Sequence, residues 1–213
     1  MYWDNFIKQA LEEDIRDGDH TSHSCIRPDA KGKAHLLIKD SGILAGVELA
    51  QKIFYQLDPA IRFHLIIADG AQVKPGEIAF ELSGNAHAIL TGERLALNCM
   101  QRMSGIATLT NEYVKKIEKT LKVTIIARDS QVKILGSESG AGHARKVLAN
   151  LLELAKRGNT ITEQNVDYAL ALCMDEKEDA VLEIDDELVC RTITGKPIKP
   201  KTLGQKYYVE QIR

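Results

Sequence analysis

The sequence contains few cysteines, and they stand far from one another. Only four of its 213 residues are cysteine, at Cys25, Cys99, Cys173 and Cys190. No C-x-x-C pair and no histidine at zinc-ligand spacing accompanies them. We therefore expect reduced thiols, neither a disulfide framework nor a metal centre, and we assign no metal ligand.

Long apolar runs are also missing. No stretch approaches the roughly 18 successive apolar residues that a membrane-spanning helix needs. The first residues, Met1–Asp4, lead directly into an acidic amphipathic segment and lack the basic start and apolar centre of a signal peptide. We therefore expect a cytoplasmic protein without membrane contact.

A strong charge of one sign is absent as well. The formal net charge is -2 with a pI near 6.3, whereas hydrophobic residues make up 44% of the chain and charged residues 27%. This is ordinary globular composition. A nucleic acid or an anionic membrane would therefore have to bind a local patch, because the whole molecule has no basic character.

The first part of the chain mixes predicted helices with predicted strands. A short helix follows Asp4, and apolar spacing of three and four predicts one long helix, or two that break near Ser104-Gly105, over residues 88–119. A further helix is predicted over residues 46–57, and strands over residues 34–39, 61–68 and 78–83. This order predicts the α+β class, with an antiparallel sheet.

A second, smaller α+β unit is predicted after residue 120. Strands over residues 123–127 and 132–135 form a hairpin, and the glycines of Gly136–Gly142 predict a flexible link. A helix then runs from His143 to Arg157. Thr160 and Glu163 have the spacing of a capping box for a last helix, which ends near Met174.

Charge is sorted by sign after Met174. Acidic residues dominate Asp175–Glu187, and basic residues dominate Arg191–Arg213. Residues 175–213 are therefore predicted to be a mobile charged linker and a basic arm. Lys196–Lys206, followed by Tyr207 and Tyr208, is a candidate for weak contact with RNA phosphates and bases, and a solvated linker is the alternative interpretation.

Arg94 is the candidate binding residue. It lies in Thr91–Asn98, where a Leu/Ala face directs its side chain to one side, and a guanidinium is a planar fork suited to a carboxylate or phosphate. By residue type alone, a surface ion pair with Glu93 or Glu112 is the commoner role. The spacing does not decide between these roles.

Two other patterns receive no ligand. His20 and His23 lie near Asp17 and Asp19, but side chains of these types in loops usually cap backbone groups. Gly140–Arg145 lacks the third glycine of a dinucleotide fingerprint and follows a hairpin, not a βαβ strand. We assign no cofactor and no catalytic residue.

Several blocks in the first half resemble quinolinate phosphoribosyltransferases, also called carboxylating nicotinate-nucleotide pyrophosphorylases. In order and spacing they are Leu11–Ile15, Gly18–Ser22, Gly42–Gly46, Thr91–Asn98 and Ser104–Thr108. The resemblance covers residues 1–118. It implies an N-terminal α/β sandwich domain that packs, in a homodimer, onto the partner's barrel, where the arginine of the Gly-Glu-Arg block binds a quinolinate carboxylate. Arg94 is the matching residue.

The chain departs from this family after the long helix. The family continues into a barrel with an Asp-Thr-Arg-Lys-Thr-Thr-Pro-Gly block, whereas this chain continues with Leu121–Arg128. An α/β barrel needs about 200 residues or more. We therefore expect a truncated or fused chain, joined near Lys119–Lys122, that does not form nicotinate mononucleotide alone and meets quinolinate only if a complete barrel is supplied in trans.

Residues 121–213 resemble a second family, in the region that precedes the ATPase domain of PhoH-family proteins. Thr194–Gln205 is the most specific block, and residues 121–174 form the small unit. Gly195-Lys196 is followed by Pro197, which does not fit a phosphate-binding loop, so ATP hydrolysis is not expected. This half supports the alternative function, a nucleic-acid-binding or regulatory module.

Overall fold

The computed structural model describes residues 2–15, 26–128, 131–174, 182, 184, 188–195 and 197–212. The chain divides into two compact units, Met1–Asn111 and Glu112–Arg213. The finer division at residues 118, 121 and 174 stays a prediction. His20, His23 and Cys25 lie outside the described residues.

The described helices of the first unit are α1 (Tyr2–Ile15), α2 (Val47–Leu57) and α3 (Ala86–Leu121), of which residues up to Asn111 belong to this unit. Its described strands are β1 (Lys31–Leu37), β2 (Gly42–Ile43), β3 (Arg62–Leu65), β4 (Gln72–Val73) and β5 (Ile78–Asn85). They form an antiparallel three-stranded sheet of order β1–β5–β3 and a separate antiparallel pair, β2–β4. The predicted α+β class with antiparallel sheets is confirmed.

One face of the sheet forms the core of this unit. Exposure alternates along β1, so that Ala34 and Leu36 pack inward while their neighbours face solvent. The Phe63 and Phe80 rings stack with their centroids 4.5 Å apart. Burial of a large apolar side chain of this kind stabilises the fold by about 1.5–3 kcal/mol. Because side chains alternate along a strand, the face of the sheet that carries the apolar residues is the face that packs against the core.

Helix α3 is unbroken at Ser104-Gly105, so of the two predicted alternatives the structure has the single helix. A glycine inside a helix costs about 1 kcal/mol relative to alanine. The flanking hydroxyls of Ser104 and Thr108 hydrogen-bond to the loop that contains Ile43 and Ala45, and these contacts hold the helix on both sides of Gly105.

The second unit packs helices against a hairpin, and the largest fully buried side chains among its described residues are Ile117, Val147, Val166 and Cys173. Its described strands are β6 (Thr124–Arg128), β7 (Gln131–Leu135), β8 (Cys190–Arg191) and β9 (Pro197–Ile198), which pair as β6–β7 and β8–β9, both antiparallel. The helices whose bounds the described residues define are the end of α3, α4 (Glu138–Lys156), α5 (Glu163–Met174) and α6 (Leu203–Ile212). The predicted hairpin is therefore present.

The glycine-rich segment before α4 is not a flexible link, and this prediction is wrong. Helix α4 begins at Glu138 and includes Gly140 and Gly142. Ser137 caps it, since its Oγ accepts the Gly140 N–H at 3.1 Å. A Cβ at residue 140 would lie 2.8 Å from the Leu121 carbonyl oxygen, so glycine is needed there for close packing and not for flexibility.

The start of α5 differs from its prediction by two residues. Thr162 is the capping residue in place of Thr160. Its N–H donates to Asn165 Oδ1 at 2.9 Å, and the Asn165 N–H donates back to Thr162 Oγ1 at 3.4 Å. Glu163, the expected partner of the box, bonds instead to Lys116.

The described part of the charged tail has regular structure that composition did not predict. Helix α6 has no buried residue, and its first residue, Leu203, donates its N–H to Tyr168 Oη at 2.6 Å. Within the acidic run, Ile184 is 4% exposed and belongs to the core. The tail is therefore more than a solvated linker, although its mobility stays a prediction.

Candidate substrate-binding site

Arg94 lies on the exposed side of α3 and faces the end of α1. Its side chain is 75% exposed, and its Nη1 lies 3.7 Å from Asp14 Oδ1. The ion-pair partners expected from sequence were Glu93 and Glu112, and the structure places Asp14 there instead. The distance exceeds that of a charge-assisted hydrogen bond, and an exposed pair contributes only about 0–1 kcal/mol, so an anionic ligand can compete with Asp14 for the guanidinium.

The turn of α3 just before Arg94 is held tightly against α2. A Cβ at Gly92 would lie 2.9 Å from Phe54 Cε1 and 2.9 Å from Leu57 Cδ1. Ala96, on the same side of α3, is 2% exposed. Because that side is buried, residue 94 is directed to the opposite side, and the guanidinium stands on a rigid helix and not on a mobile loop.

Two hydroxyl side chains of α3 hold the loop that carries Gly42–Gly46. The Ile43 N–H donates to Thr108 Oγ1 at 2.8 Å, and the Ala45 N–H donates to Ser104 Oγ at 2.9 Å. The Ser104 hydroxyl in turn donates to the Ala45 carbonyl at 3.1 Å. The blocks that carry the family resemblance therefore include residues that join a loop to a helix, besides the candidate ligand-binding arginine.

Both glycines of that loop have a spatial role. A Cβ at Gly42 would lie 2.5 Å from Thr108 Oγ1. Gly46 has a φ of +97°, a backbone conformation that favours glycine, and a Cβ there would also meet Met103 Sδ at 3.0 Å. The loop can approach α3 this closely because both positions lack a side chain.

Asp69 is a structural residue that sequence reasoning missed. Its carboxylate accepts the Val47 N–H at 2.8 Å and the Glu48 N–H at 3.2 Å, which satisfies two free amides at the start of α2. A cap this distant in sequence leaves no local spacing signal.

Apolar side chains share the exposed side of α3 with Arg94. Leu90 is 41% exposed and Leu109 44%, and the intervals between residues 90, 94 and 109 place them along one side of the helix. Ile106, next to this row, is 63% exposed, and the space beside Gly105 is open. An apolar surface of this type is suited to contact with another protein.

Lys116 forms a charged cluster in the second unit. Its Nζ lies 2.6 Å from Asp167 Oδ1 and 2.7 Å from Glu163 Oε1. Hydrogen bonds to Asp167 and then to Glu163 raise the pKa of Lys116. This cluster joins the last turns of α3 to α5, so its role is structural.

The candidate RNA contacts on α6 are accessible. Tyr207 is 66% exposed and Tyr208 67%, and Lys201 precedes the helix on an exposed segment. Lys196 lies outside the described residues.

The described residues contain no candidate metal centre, and the thiol of Cys99 on α3 is weakly reactive. No cluster of His, Cys, Asp and Glu side chains among them could hold a metal ion, and none of their helices is long and apolar enough to cross a membrane. Burial raises the pKa of the Cys99 thiol, which keeps it protonated and weakly nucleophilic.

Comparison with known proteins finds a family domain that residues 19–104 match. They match the family described as quinolinate phosphoribosyl transferase, N-terminal domain. Quinolinate phosphoribosyltransferase [decarboxylating] 1b of Nicotiana tabacum is 47% identical over 105 residues, which are 49% of this chain and 30% of the relative. The chloroplastic nicotinate-nucleotide pyrophosphorylase [carboxylating] of Arabidopsis thaliana is 48% identical over 105 residues, again 49% and 30% of the two chains.

Solved structures agree with this match. The nicotinate-nucleotide pyrophosphorylase from Francisella tularensis is 36% identical with a TM-score of 0.51, over 54% of this chain and 41% of that one. NadC from Streptococcus pyogenes is 33% identical with a TM-score of 0.52, over the same shares. The chain spans 30% of the length of these plant relatives. Its N-terminal region is thus shown to match the N-terminal domain of quinolinate phosphoribosyltransferases.

Proposed function

We propose that the first unit acts as the quinolinate-contacting domain of a quinolinate phosphoribosyltransferase, in the formation of nicotinate mononucleotide for NAD biosynthesis. The match of residues 19–104 to the family domain carries this proposal. Identity of 45–48% to several plant relatives over about half of this chain supports it.

In this proposal Arg94 binds a carboxylate of quinolinate. Its exposure and its loose contact with Asp14 leave the planar fork accessible to a ligand. Its position on a helix packed through Gly92 supplies the rigidity that ligand positioning requires. A substrate carboxylate would take the place of Asp14 beside the guanidinium.

The chemistry itself is proposed to need a barrel supplied in trans. The second unit supports this, since its described strand pairs are antiparallel whereas a phosphoribosyltransferase barrel of the family is built from parallel strands.

The test is complementation of a barrel by this chain. The barrel of the Francisella tularensis nicotinate-nucleotide pyrophosphorylase, made without its own N-terminal domain, is mixed with the chain, quinolinate, phosphoribosyl pyrophosphate and magnesium. We expect nicotinate mononucleotide from the mixture and from neither polypeptide alone. Arg94→Ala should abolish the gain, and Arg102→Ala, the matched control at another exposed arginine of α3, should retain it.

Two results would contradict this proposal. Turnover by the chain alone would show that no added barrel is needed. A complex of chain and barrel, detected by sedimentation, whose activity is equal with and without Arg94 would show that Arg94 is not a ligand of quinolinate.

A second candidate function is RNA binding through the end of the second unit. It rests on the exposed tyrosine pair on α6 together with the preceding basic residue Lys201. Fluorescence anisotropy with a short single-stranded RNA should show binding at low salt that weakens steeply as salt rises. Loss of binding in Tyr207→Ala with Tyr208→Ala supports this function, and no binding at low salt excludes it. The resemblance to PhoH-family proteins stays a prediction.

A further inference from the structure

The hairpin of the second unit directs part of the β7 backbone away from β6. The register pairs Arg128 with Gln131, so the loop between them has two residues. In hairpins with a two-residue connection, the two residues that flank the connection exchange backbone hydrogen bonds with each other. Hydrogen-bonded and non-hydrogen-bonded residue pairs then alternate along the two strands. The N–H and C=O groups of Val132 and Ile134 therefore point to the outer edge of β7.

The outer edge of β6 is partly covered by the chain itself. The Ile125 N–H donates to Glu118 Oε1 at 2.7 Å. Because Ile125 is opposite Ile134, this contact independently shows that their amides point outward and not at each other. The Val123 N–H also bonds within the unit, to the Glu118 carbonyl at 3.1 Å.

The outer edge of β7 has no equivalent cover in the part of the chain that the structure describes. Neither Val132 nor Ile134 has an outward backbone hydrogen bond there. Ile125 and Ile134 pack against the core from one face of the hairpin. Val132 lies on that same face, yet it is 59% exposed. A two-stranded sheet is also only marginally stable by itself, and a third strand beside β7 would add backbone hydrogen bonds and cover Val132.

Charge determines which strand fits this edge. Lys133 lies between Val132 and Ile134, faces the other side of the sheet and is exposed. A second copy of β7 paired symmetrically about residue 133 would place two lysines directly opposite each other, which is destabilising, and an edge lysine is a common device against such self-pairing. An acidic side chain opposite Lys133 would be favourable instead.

We propose that β7 accepts, as a third strand, an extended segment of another protein in which apolar and acidic side chains alternate. Its backbone bonds to the Val132 and Ile134 amides and carbonyls. Its apolar side chains lie beside Val132 and Ile134, and its acidic side chains face Lys133. This is strand addition, in which main-chain bonds supply affinity and alternate side chains supply specificity.

The probe is a fluorescent eight-residue peptide of alternating Val and Glu, titrated into the full chain. A peptide with the same side chains and N-methyl groups on one set of alternate amides tests the backbone bonds, and a Val-Lys peptide tests the charge preference. Amide hydrogen exchange of Val132 and Ile134 is measured with and without the peptide. Lys133→Glu changes an exposed residue. It should lower the affinity for the Val-Glu peptide and raise the affinity for the Val-Lys peptide by about threefold each, which is the effect expected of a cross-strand ion pair.

We expect the Val-Glu peptide to bind, methylation of the set that faces β7 to abolish binding, and the Val132 and Ile134 amides to become protected only with peptide. Absence of binding with both amides still exchanging freely would overturn the proposal. Protection of these amides in the free protein that increases with its concentration would overturn it in favour of a second copy. Equal binding of the methylated peptides would show that contact is through side chains and not through the strand edge.

Discussion

Gly42 and Thr108 approach each other so closely that the glycine hydrogen occupies the space of a side chain, since a Cβ at residue 42 would lie 2.5 Å from Thr108 Oγ1. That hydroxyl oxygen also accepts the Ile43 N–H at 2.8 Å and donates its own proton to the Ser104 carbonyl at 2.7 Å. Thr108 therefore cannot rotate away without losing both bonds.

Replacement of this glycine should destabilise the first unit. We expect Gly42→Ala to lower the free energy of unfolding by about 1–3 kcal/mol, because the added methyl group would clash with Thr108, which its two hydrogen bonds hold in place. Gly105→Ala on the open side of α3 is the control and should raise it by about 0.5–1 kcal/mol. Urea unfolding followed by circular dichroism measures both. Equal effects of the two changes would contradict the close contact.

The start of α4 offers a similar matched pair in the second unit. Gly140→Ala should destabilise, since the new Cβ would lie 2.8 Å from the Leu121 carbonyl oxygen, whereas Gly142→Ala, in open space, should stabilise by about 0.5–1 kcal/mol. Thermal unfolding separates these outcomes. Stabilisation by both substitutions would show that the segment is not packed as a helix against Leu121.

The charged cluster at Lys116 predicts a stability change at alkaline pH. Its pKa is raised above the ordinary value of 10.5 by hydrogen bonds to Asp167 and Glu163. The folded state therefore binds this proton more tightly than the unfolded state does. The stabilisation is complete below 10.5 and is lost as the pH rises through the folded pKa.

We expect Lys116→Met to be less stable than the wild type at pH 8 and the difference to disappear above the folded pKa. Urea midpoints measured across this range test it. Lys119→Met, at an exposed lysine one turn away, is the control and should show no such pH-dependent difference. A difference for Lys116→Met that is independent of pH would mean that lost packing, not charge, is responsible.

The exposed apolar side of α3 predicts self-association as a homodimer. We expect the sedimentation coefficient to rise with protein concentration. Ile106→Asp should shift the protein to monomer, because a charge at a position that the dimer would bury is costly. Arg94→Ala should leave the dimer intact, since a ligand-directed arginine is not a hydrophobic anchor. A wild-type monomer at all concentrations would contradict this prediction.

The cysteines should differ in their reactivity. Cys190 is exposed and Cys173 is fully buried, while burial raises the pKa of Cys99. In a Cys25→Ser background, a thiol reagent should modify Cys190 first and Cys173 only on unfolding, which mass spectrometry detects. Rapid modification of Cys173 in the native protein would indicate that the second unit opens readily.

Short stretches of sequence were enough to predict features that depend only on neighbouring residues. The alternation of β1, the hairpin after residue 122 and the ending of a helix at Gly158, whose φ is +85°, all follow from period, turn length and glycine chemistry. The glycines at residues 136–142 were misinterpreted because a glycine needed for close packing and a glycine needed for flexibility look the same in sequence. Likewise Thr160 and Thr162 are both plausible caps, and only the position of Asn165 selects Thr162.

The sequence by itself determined the α+β class and, through blocks in fixed order, the match of the N-terminal region to quinolinate phosphoribosyltransferases, whereas the role of Arg94 stays a prediction. The tertiary structure decided which groups meet over long separations. Asp14 lies beside Arg94, Asp69 caps α2, and Thr108 holds the loop at Ile43. Such contacts depend on how helices and strands pack around a core, and packing brings together residues whose separation along the chain has no period for a pattern to detect.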